Sequence, residues 1–245
     1  MNPGGFSHNM NNDRYPGKEL HLFSKAVKWK SYWSSRILPY FGNTVLEVGA
    51  GLGANTRLLC KKSFRRWVCL EPDTHLSKVI TENIKYHQCH SLCEVINGTI
   101  LNLSSDDIFD TILYLDVLEH IKDDKEEIHQ AYNHLSSNGK IVIIAPSHPF
   151  LFSVFDKAIG HYRRYNARMI RELTPPDTRL LRLEYLDSLG MLLSYTNRAI
   201  LNQKIPNHNE IQIWDSIIVP CSRIFDKLSC FRLGKSILAV WVKIK

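Results

Sequence analysis

A strand-like run, Val45-Leu46-Glu47-Val48, passes directly into Gly49-Ala50-Gly51-Leu52-Gly53 and then into a helical pattern from Asn55. Glycines at alternate positions remove β-carbons where the chain must turn sharply and where a ligand can approach the backbone. Strand, glycine turn and helix in that order open a nucleotide-type site. The next apolar run, Trp67 to Glu71, ends in a carboxylate 20 residues beyond Gly51. An acid at the tip of a second strand can accept hydrogen bonds from both ribose hydroxyls. The glycines alone leave the ligand open, because Gly49, Gly51 and Ala54 also satisfy a dinucleotide fingerprint. Two residue-level facts favour a cationic ligand. Glu47 sets a carboxylate just before the turn, which would repel a pyrophosphate but suits an ammonium and a sulfonium. No Tyr-x-x-x-Lys, the catalytic pair of short-chain dehydrogenases, occurs in the chain.

Around that turn, short apolar runs alternate with helical patterns. Strands are expected at 44–48, 67–71, 92–96, 110–116 and 140–146, and helices at 55–62, 74–87 and 123–135. Near-continuous Val, Ile and Leu in strands separated by helices predicts a mostly parallel sheet covered on both faces, an α/β doubly wound fold. Ahead of it, residues 1–18 are rich in Asn, Gly and Pro and read as a flexible leader. Leu22, Phe23, Ala26, Trp29, Trp33 and Ile37 recur at helical spacing, so one helix is expected from Glu19 to Leu38, ended by Pro39. After Pro146 the rhythm changes to a polar, aromatic and basic stretch (147–171). A strand at 181–186, a helix at 189–202, a loop around Lys204 to Glu210, a helix at 211–228 and a last strand at 236–244 complete the chain. The economical organisation is one domain over 19–245, with 147–235 supplying lid or cap elements on the substrate side.

These motifs resemble the class I S-adenosylmethionine-dependent methyltransferases. The likeness is carried by Glu47 to Gly53, by Glu71 in Cys-Leu-Glu-Pro-Asp, by Leu115-Asp116-Val117-Leu118-Glu119-His120-Ile121 after the fourth strand, and by Asn133 to Pro146 around the fifth. It extends from about Trp29 to the C-terminus and implies a Rossmann-like sheet of seven strands with an antiparallel C-terminal strand. The implied cofactor is S-adenosylmethionine, with S-adenosylhomocysteine as product. By the same resemblance Glu47 lies near the methionine ammonium and Gly49, Gly51 and Gly53 line the methionine and ribose portion. Glu71 would bind the ribose hydroxyls, and Asp116 and Val117 would flank the methionine moiety. Gly98-Thr99 stands where the family usually has Gly-Asp near the adenine amino group, so Thr99 offers one uncharged acceptor there. Leu-Ser-Ser-Asn-Gly-Lys replaces the usual proline-glycine turn, a change that Asn138-Gly139 tolerates. Residues 148–165 and the C-terminal region look like a bacterial subgroup associated with surface polysaccharides and secondary products.

Methyl transfer needs alignment and desolvation, and a hydroxyl or acidic carbon acceptor must also lose a proton. Histidine is the side chain suited to that step near neutral pH. His120 follows the fourth strand at the ligand-binding edge of the sheet, His148 follows the fifth, and His161 leads His161-Tyr162-Arg163-Arg164-Tyr165. His161, His120 and Tyr162 are the expected catalytic residues. Arg163, Arg164, Tyr165, His148, Tyr32 and Trp33 are the expected acceptor contacts, since Arg binds anions bidentately and Tyr both stacks and hydrogen-bonds. The competing readings are structural: a cap with surface ion pairs for the basic run, a loop residue for His148, and plain core for Tyr32 and Trp33.

His87, Cys89, His90 and Cys93 are metal-type side chains without a distant partner pair, so they read as a helix end and loop, and no metal centre is expected. The six cysteines read as buried small hydrophobes in a reducing compartment. A net charge of +7 favours acidic partners at long range. However, there is no added RNA-binding module and no Asn/Asp-Pro-Pro-aromatic tetrad after the fourth strand. The subgroup resemblance implies a small-molecule or glycan- or lipid-linked acceptor, with a nucleic-acid acceptor and a non-catalytic cofactor-binding subunit as alternatives. No signal-like or membrane-spanning run is present, so the expectation is a cytoplasmic protein, with peripheral membrane contact left open.

Overall fold

The computed structural model describes residues 18–87, 90–196 and 207–244. The leader other than Lys18, Cys89, the side chain of His90, and the end of the helix expected at 189–202 lie outside the described residues.

The strands are β1 (Thr44–Val48), β2 (Arg66–Glu71), β3 (Cys93–Asn97), β4 (Phe109–Leu115), β5 (Leu135–Pro146), β6 (Thr178–Leu186) and β7 (Ser236–Lys243). They form one sheet in the order β3-β2-β1-β4-β5-β7-β6, parallel except for β7, which runs antiparallel between β5 and β6. β1 and β4 are neighbours and their chains leave the sheet on opposite sides, which opens a crevice at their carboxyl ends. Helices cover both faces. α1 (Lys18–Ser24), α2 (Val27–Ile37), α3 (Ala54–Leu59), α4 (Thr74–Lys85) and α5 (Asp124–Asn133) belong to the first half. α6 (Val154–Ala158), α7 (Ala167–Glu172), α8 (Ser188–Thr196), α9 (His208–Ile213) and α10 (Val219–Leu228) belong to the second. Two apolar layers result. Val45, Trp67, Leu113, Val142 and Val240 pack under Trp29, Trp33 and Trp214 on one face, and Leu46, Val68, Ile112, Ile141 and Trp241 pack against Ile128 and Ile170 on the other. No helix among the described residues is long and apolar enough to cross a membrane.

Several features depart from the sequence expectation, among them the helix expected at 211–228, which is divided into α9, a π-helical turn and α10. β5 begins five residues earlier than expected, at Leu135, because its register against β4 breaks between Phe109 and Thr111 and absorbs the Asn138-Gly139 turn as a bulge, with Asn138 at φ 62°. Cys221 and Cys230 are exposed, unlike the buried Cys60 and Cys69. The single N-terminal helix is two helices broken at Lys25-Ala26. Ala26 has no capping side chain, and the start of α2 is capped from far away in sequence: Asp215 accepts the backbone N–H groups of Lys28 and Trp29 at 3.1 and 2.8 Å. A carboxylate at a helix N-terminus satisfies two orphan donors and complements the helix dipole.

Asp215 lies in a π-helical turn, Trp214–Ile218, between α9 and α10. Pro220 follows that turn in the first positions of α10, and a proline cannot donate to the carbonyl four residues back. That carbonyl belongs to Ser216, and the Lys28 ammonium donates to it at 3.0 Å. Two more buried acids hold the same region. Asp226 accepts from Tyr32 Oη and from the backbone N–H groups of Asp187 and Ser188, all at 2.8 Å. Asp187 accepts from Trp214 Nε1 at 2.7 Å, Ser222 Oγ at 2.6 Å and the Gly190 N–H at 3.0 Å. A β-carbon on Gly190 would fall 1.9 Å from Asp187 Oδ2, so only glycine fits there.

Asp215→Ala should lower the free energy of unfolding by about 2 kcal/mol, read as an earlier urea midpoint. Asp215→Asn should recover part of the loss. An unchanged midpoint for the alanine variant would show that α2 does not depend on this cap.

Candidate active site

The loop after β1 is shaped by its glycines. Gly49, Gly51 and Gly53 take φ values of 64, 59 and 71°, the left-handed region that side chains disfavour. At Gly49 the constraint is also one of space, since a β-carbon would lie 2.7 Å from Val117 Cγ2 in the turn after β4. The two turns that frame the crevice therefore touch. Over Gly51 an added β-carbon would make ordinary contact with the Leu20 methyls of α1, at 3.8 Å. Glu71 is buried at the end of β2 and accepts the Gly51 N–H at 2.8 Å and the Asp73 N–H at 3.0 Å. Burial raises its pKa against those bonds. The loop and the acid thus form one hydrogen-bonded unit.

Acidic groups collect along the carboxyl edge of the sheet. Glu47 is buried, and its Oε2 accepts from Thr56 Oγ1 at 2.6 Å and Trp67 Nε1 at 3.1 Å, while Oε1 has no partner. Burial pushes its pKa up to about 7, although Thr56, Trp67 and the charge of Lys30 act in the opposite direction. Asp116, at φ 57°, is exposed on the crevice side but surrounded by protein on its others. That enclosure raises it to about 6 against the influence of His161, Lys235 and Lys30. Lys30 projects from α2, and desolvation lowers its pKa against the pull of Glu47 and Asp116. Lys235, just before β7, sits with its ammonium 3.9 Å from the Trp214 ring centroid and 3.7 Å from Asp187 Oδ2.

Beside Asp116 stands a second polar group. His161 Nδ1 lies 2.9 Å from Asp156 Oδ1, which also accepts from Arg164 Nε at 2.9 Å. Burial works against the Asp156 carboxylate, yet the hydrogen bonds from His161 and Arg164 hold its pKa at about 2. On its other side, His161 Nε2 lies 3.7 Å from Glu119 Oε1. The His120 ring meets His161 edge-on, with centroids 4.5 Å apart. Desolvation and the neighbouring imidazole lower His120 to about 4, so it is neutral at pH 7. Glu119 is fully buried, and its Oε2 has no hydrogen-bond partner. Desolvation and Asp116 raise its pKa well above the usual carboxylate range.

The structure brings His120, His161, Arg164 and Asp116 together but sends the other expected contacts elsewhere. The Tyr162 ring is exposed. Arg163 pairs with Asp124 at 2.5 Å, and the buried Tyr165 donates to the same carboxylate at 2.7 Å, so both fasten the 161–165 run to the start of α5. Tyr32 and Trp33 are core, as their helical spacing allowed. His148, at φ 62°, stacks on Tyr185 with ring centroids 4.7 Å apart. Thr99 is exposed and forms a capping box with Asn102. Four site residues escaped the sequence reading. Lys30 carried a signal, as a cation on the apolar stripe Ala26-Lys30-Trp33-Ile37. Glu119 lay inside the recognised Leu115 to Ile121 segment. Asp156 could be read in the sequence only as a surface partner for the arginines of the basic run, and Lys235 stands in no pattern.

A family model described as a methyltransferase domain matches residues 18–204. No curated protein sequence matches. Coclaurine N-methyltransferase bound to N-methylheliamine and SAH is similar at a TM-score of 0.60 and 16% identity, over 89% of this chain and 72% of that one. The N-methyltransferase NodS from Bradyrhizobium japonicum WM9 is similar at a TM-score of 0.55 and 14% identity, over 90% and 97%. The [4+2]-cyclase SpnF has a TM-score of 0.60 and 10% identity, over 93% and 94%. Likeness at these identities establishes the shared fold. The residues at the crevice also fit the cofactor of the family: an unpartnered buried Glu47 oxygen for an ammonium, a left-handed glycine turn at Gly49 to Gly53 and an acid at the tip of β2. The chain belongs to the methyltransferase-domain family and is a class I S-adenosylmethionine-dependent methyltransferase.

Proposed function

We propose that this enzyme methylates a hydroxyl-bearing small molecule, free or linked to a glycan or lipid, with residues 147–235 forming the acceptor side of the crevice. The observation that carries this reading is the set Asp156, His161, His120 and Glu119 on the crevice wall beside Asp116. An acidic lining repels a polyanionic phosphodiester backbone and accommodates a neutral polyol, which disfavours a nucleic-acid acceptor despite the positive net charge.

Bound S-adenosylmethionine supplies a methyl group activated on a sulfonium. Glu47 offers its unpartnered oxygen to the methionine ammonium, Glu71 accepts the ribose hydroxyls, and the Gly49 to Gly53 loop gives backbone access. Thr99 is near enough in sequence order to β3 to border the adenine edge. Lys30 and Leu20 enclose the crevice from the α1–α2 side and limit water. His161, oriented by Asp156, faces the acceptor oxygen together with His120 and Glu119. Arg164 keeps Asp156 ionised and so acts as a positioning residue.

Calorimetric titration with S-adenosylhomocysteine, followed by methyl-release assays on polyol, glycolipid and RNA acceptors, tests the reading. Transfer to RNA alone would overturn the acceptor class. His161→Ala should lower kcat about a hundredfold or more while leaving S-adenosylhomocysteine affinity within twofold; loss of both would make His161 structural. Cofactor affinity should also depend on pH through Glu47. Its pKa of about 7 in the free protein means that ammonium binding below that pH must expel a proton. Affinity should therefore fall as pH drops below about 7, by up to ~tenfold per unit, and level off between about pH 7 and 8. Glu47→Gln should bind more weakly at every pH and lose the slope, and a slope retained in that variant would assign it to another group.

A further inference from the structure

We propose that Glu119, His120 and His161 form a binding site for one borderline divalent cation of the Mn²⁺, Co²⁺ or Zn²⁺ type, positioned to take an oxygen of the methyl acceptor. One ligand atom from each of the three side chains lies within 4.8 Å of the others. Around a cation with bonds of ~2.1 Å, neighbouring ligand atoms stand about 3 Å apart and opposite ones about 4.2 Å. Closing the set onto an ion therefore needs side-chain rotations of about 1 Å and no movement of the sheet.

Three independent observations point to a cation. Glu119 is 1% exposed, and its Oε2 has no hydrogen-bond partner. A buried carboxylate oxygen left in this way needs either a proton or a positive charge, and the other oxygen of the same carboxylate lies 3.7 Å from His161 Nε2. The second is the bond from His161 Nδ1 to Asp156. A carboxylate on the far nitrogen fixes the tautomer and turns the Nε2 lone pair inward, the arrangement that supports metal-ligating histidines. The third is charge. Asp116 lies three residues from Glu119 on the same turn and Asp156 is bonded to His161, so an ion here would meet the carboxylates of Asp116, Glu119 and Asp156 beside two imidazoles. Two nitrogens and one or two carboxylate oxygens suit borderline first-row ions better than Mg²⁺ or Ca²⁺. The sequence hid the site because Glu119-His120 and His161 are 41 residues apart, outside any ligand spacing.

The ion's role in catalysis rests on the methyl-transfer reading. As a Lewis acid it lowers the pKa of a coordinated hydroxyl. The O–H bond breaks and its proton passes to solvent, the oxygen bonds to the methyl carbon, and the carbon–sulfur pair returns to sulfur. The ion undergoes no redox change.

The test is titration of the full-length, EDTA-treated protein with Co²⁺, followed by visible absorption, with S-adenosylhomocysteine calorimetry on the same preparation. Saturation at one equivalent is expected, with His120→Ala and His161→Ala each weakening binding at least tenfold. Asp156→Asn, which removes the orienting charge and touches no metal atom, should weaken it about tenfold to a hundredfold. Should an alanine variant fail to fold, the isosteric Glu119→Gln carries the same expectation. Absence of stoichiometric binding, unchanged affinity in the variants, or thiolate charge-transfer bands marking the cysteines would each overturn the site. S-adenosylhomocysteine binding without Co²⁺ binding would remove the cation alone. Co²⁺ binding without S-adenosylhomocysteine binding would uphold the cation site and remove the methyl-transfer reading.

Discussion

Negative charge gathers where the parallel strands of this sheet end, and the rest of the molecule is arranged around that fact. Glu47, Glu71, Asp116 and Glu119 come from β1, β2 and the turn after β4, and the fold leaves them no freedom to spread apart. Carboxylates drawn together in a low-dielectric crevice repel one another and lose hydration, which is why burial dominates every raised pKa in the group. Such a site is tolerable only if positive charge or hydrogen-bond donors are delivered to it. The loop N–H groups serve Glu71, Thr56 and Trp67 serve one oxygen of Glu47, and an oxygen each of Glu47 and Glu119 is left over.

The elements outside the basic α/β pattern supply the balancing charge. α2 brings Lys30 over Glu47 and Asp116, and the approach to β7 brings Lys235. The segment between β5 and α7 brings His161 and Arg164, with Asp156 turning their donors toward itself. The N-terminal helices and the C-terminal cap are therefore parts of the site. The cap repeats the same physics with its accounts settled, since Asp187 and Asp226 are fully buried but each accepts three bonds. Satisfied acids make the frame rigid, and unsatisfied ones mark where a ligand belongs.

What could be read from the sequence follows from how local each signal is. Strand runs and the glycine turn are contiguous, so the sheet, its doubly wound class and the positions of Gly49 and Glu71 at its carboxyl edge were legible. The break between α1 and α2 was not, because the cap that creates it stands 187 residues away on Asp215. Arg163 and Tyr165 carried acceptor-binding chemistry in the sequence, and only the position of Asp124 reveals that they are fasteners. The pairing of Glu119 and His120 with His161 depends on how the chain returns over the crevice after β5. No spacing rule encodes that return.

The capping of α2 by Asp215 also bears on how the molecule is made. Ribosomes deliver the N-terminal helices first, yet the donors at the start of α2 wait for a carboxylate synthesised almost two hundred residues later. Until Asp215 emerges, the helix that carries Lys30 has an unsatisfied end, and the crevice beneath it lacks its counter-charge. A chain that stopped short of Asp215 would leave the start of α2 uncapped and the crevice without Lys235, so the site is completed from both ends of the sequence.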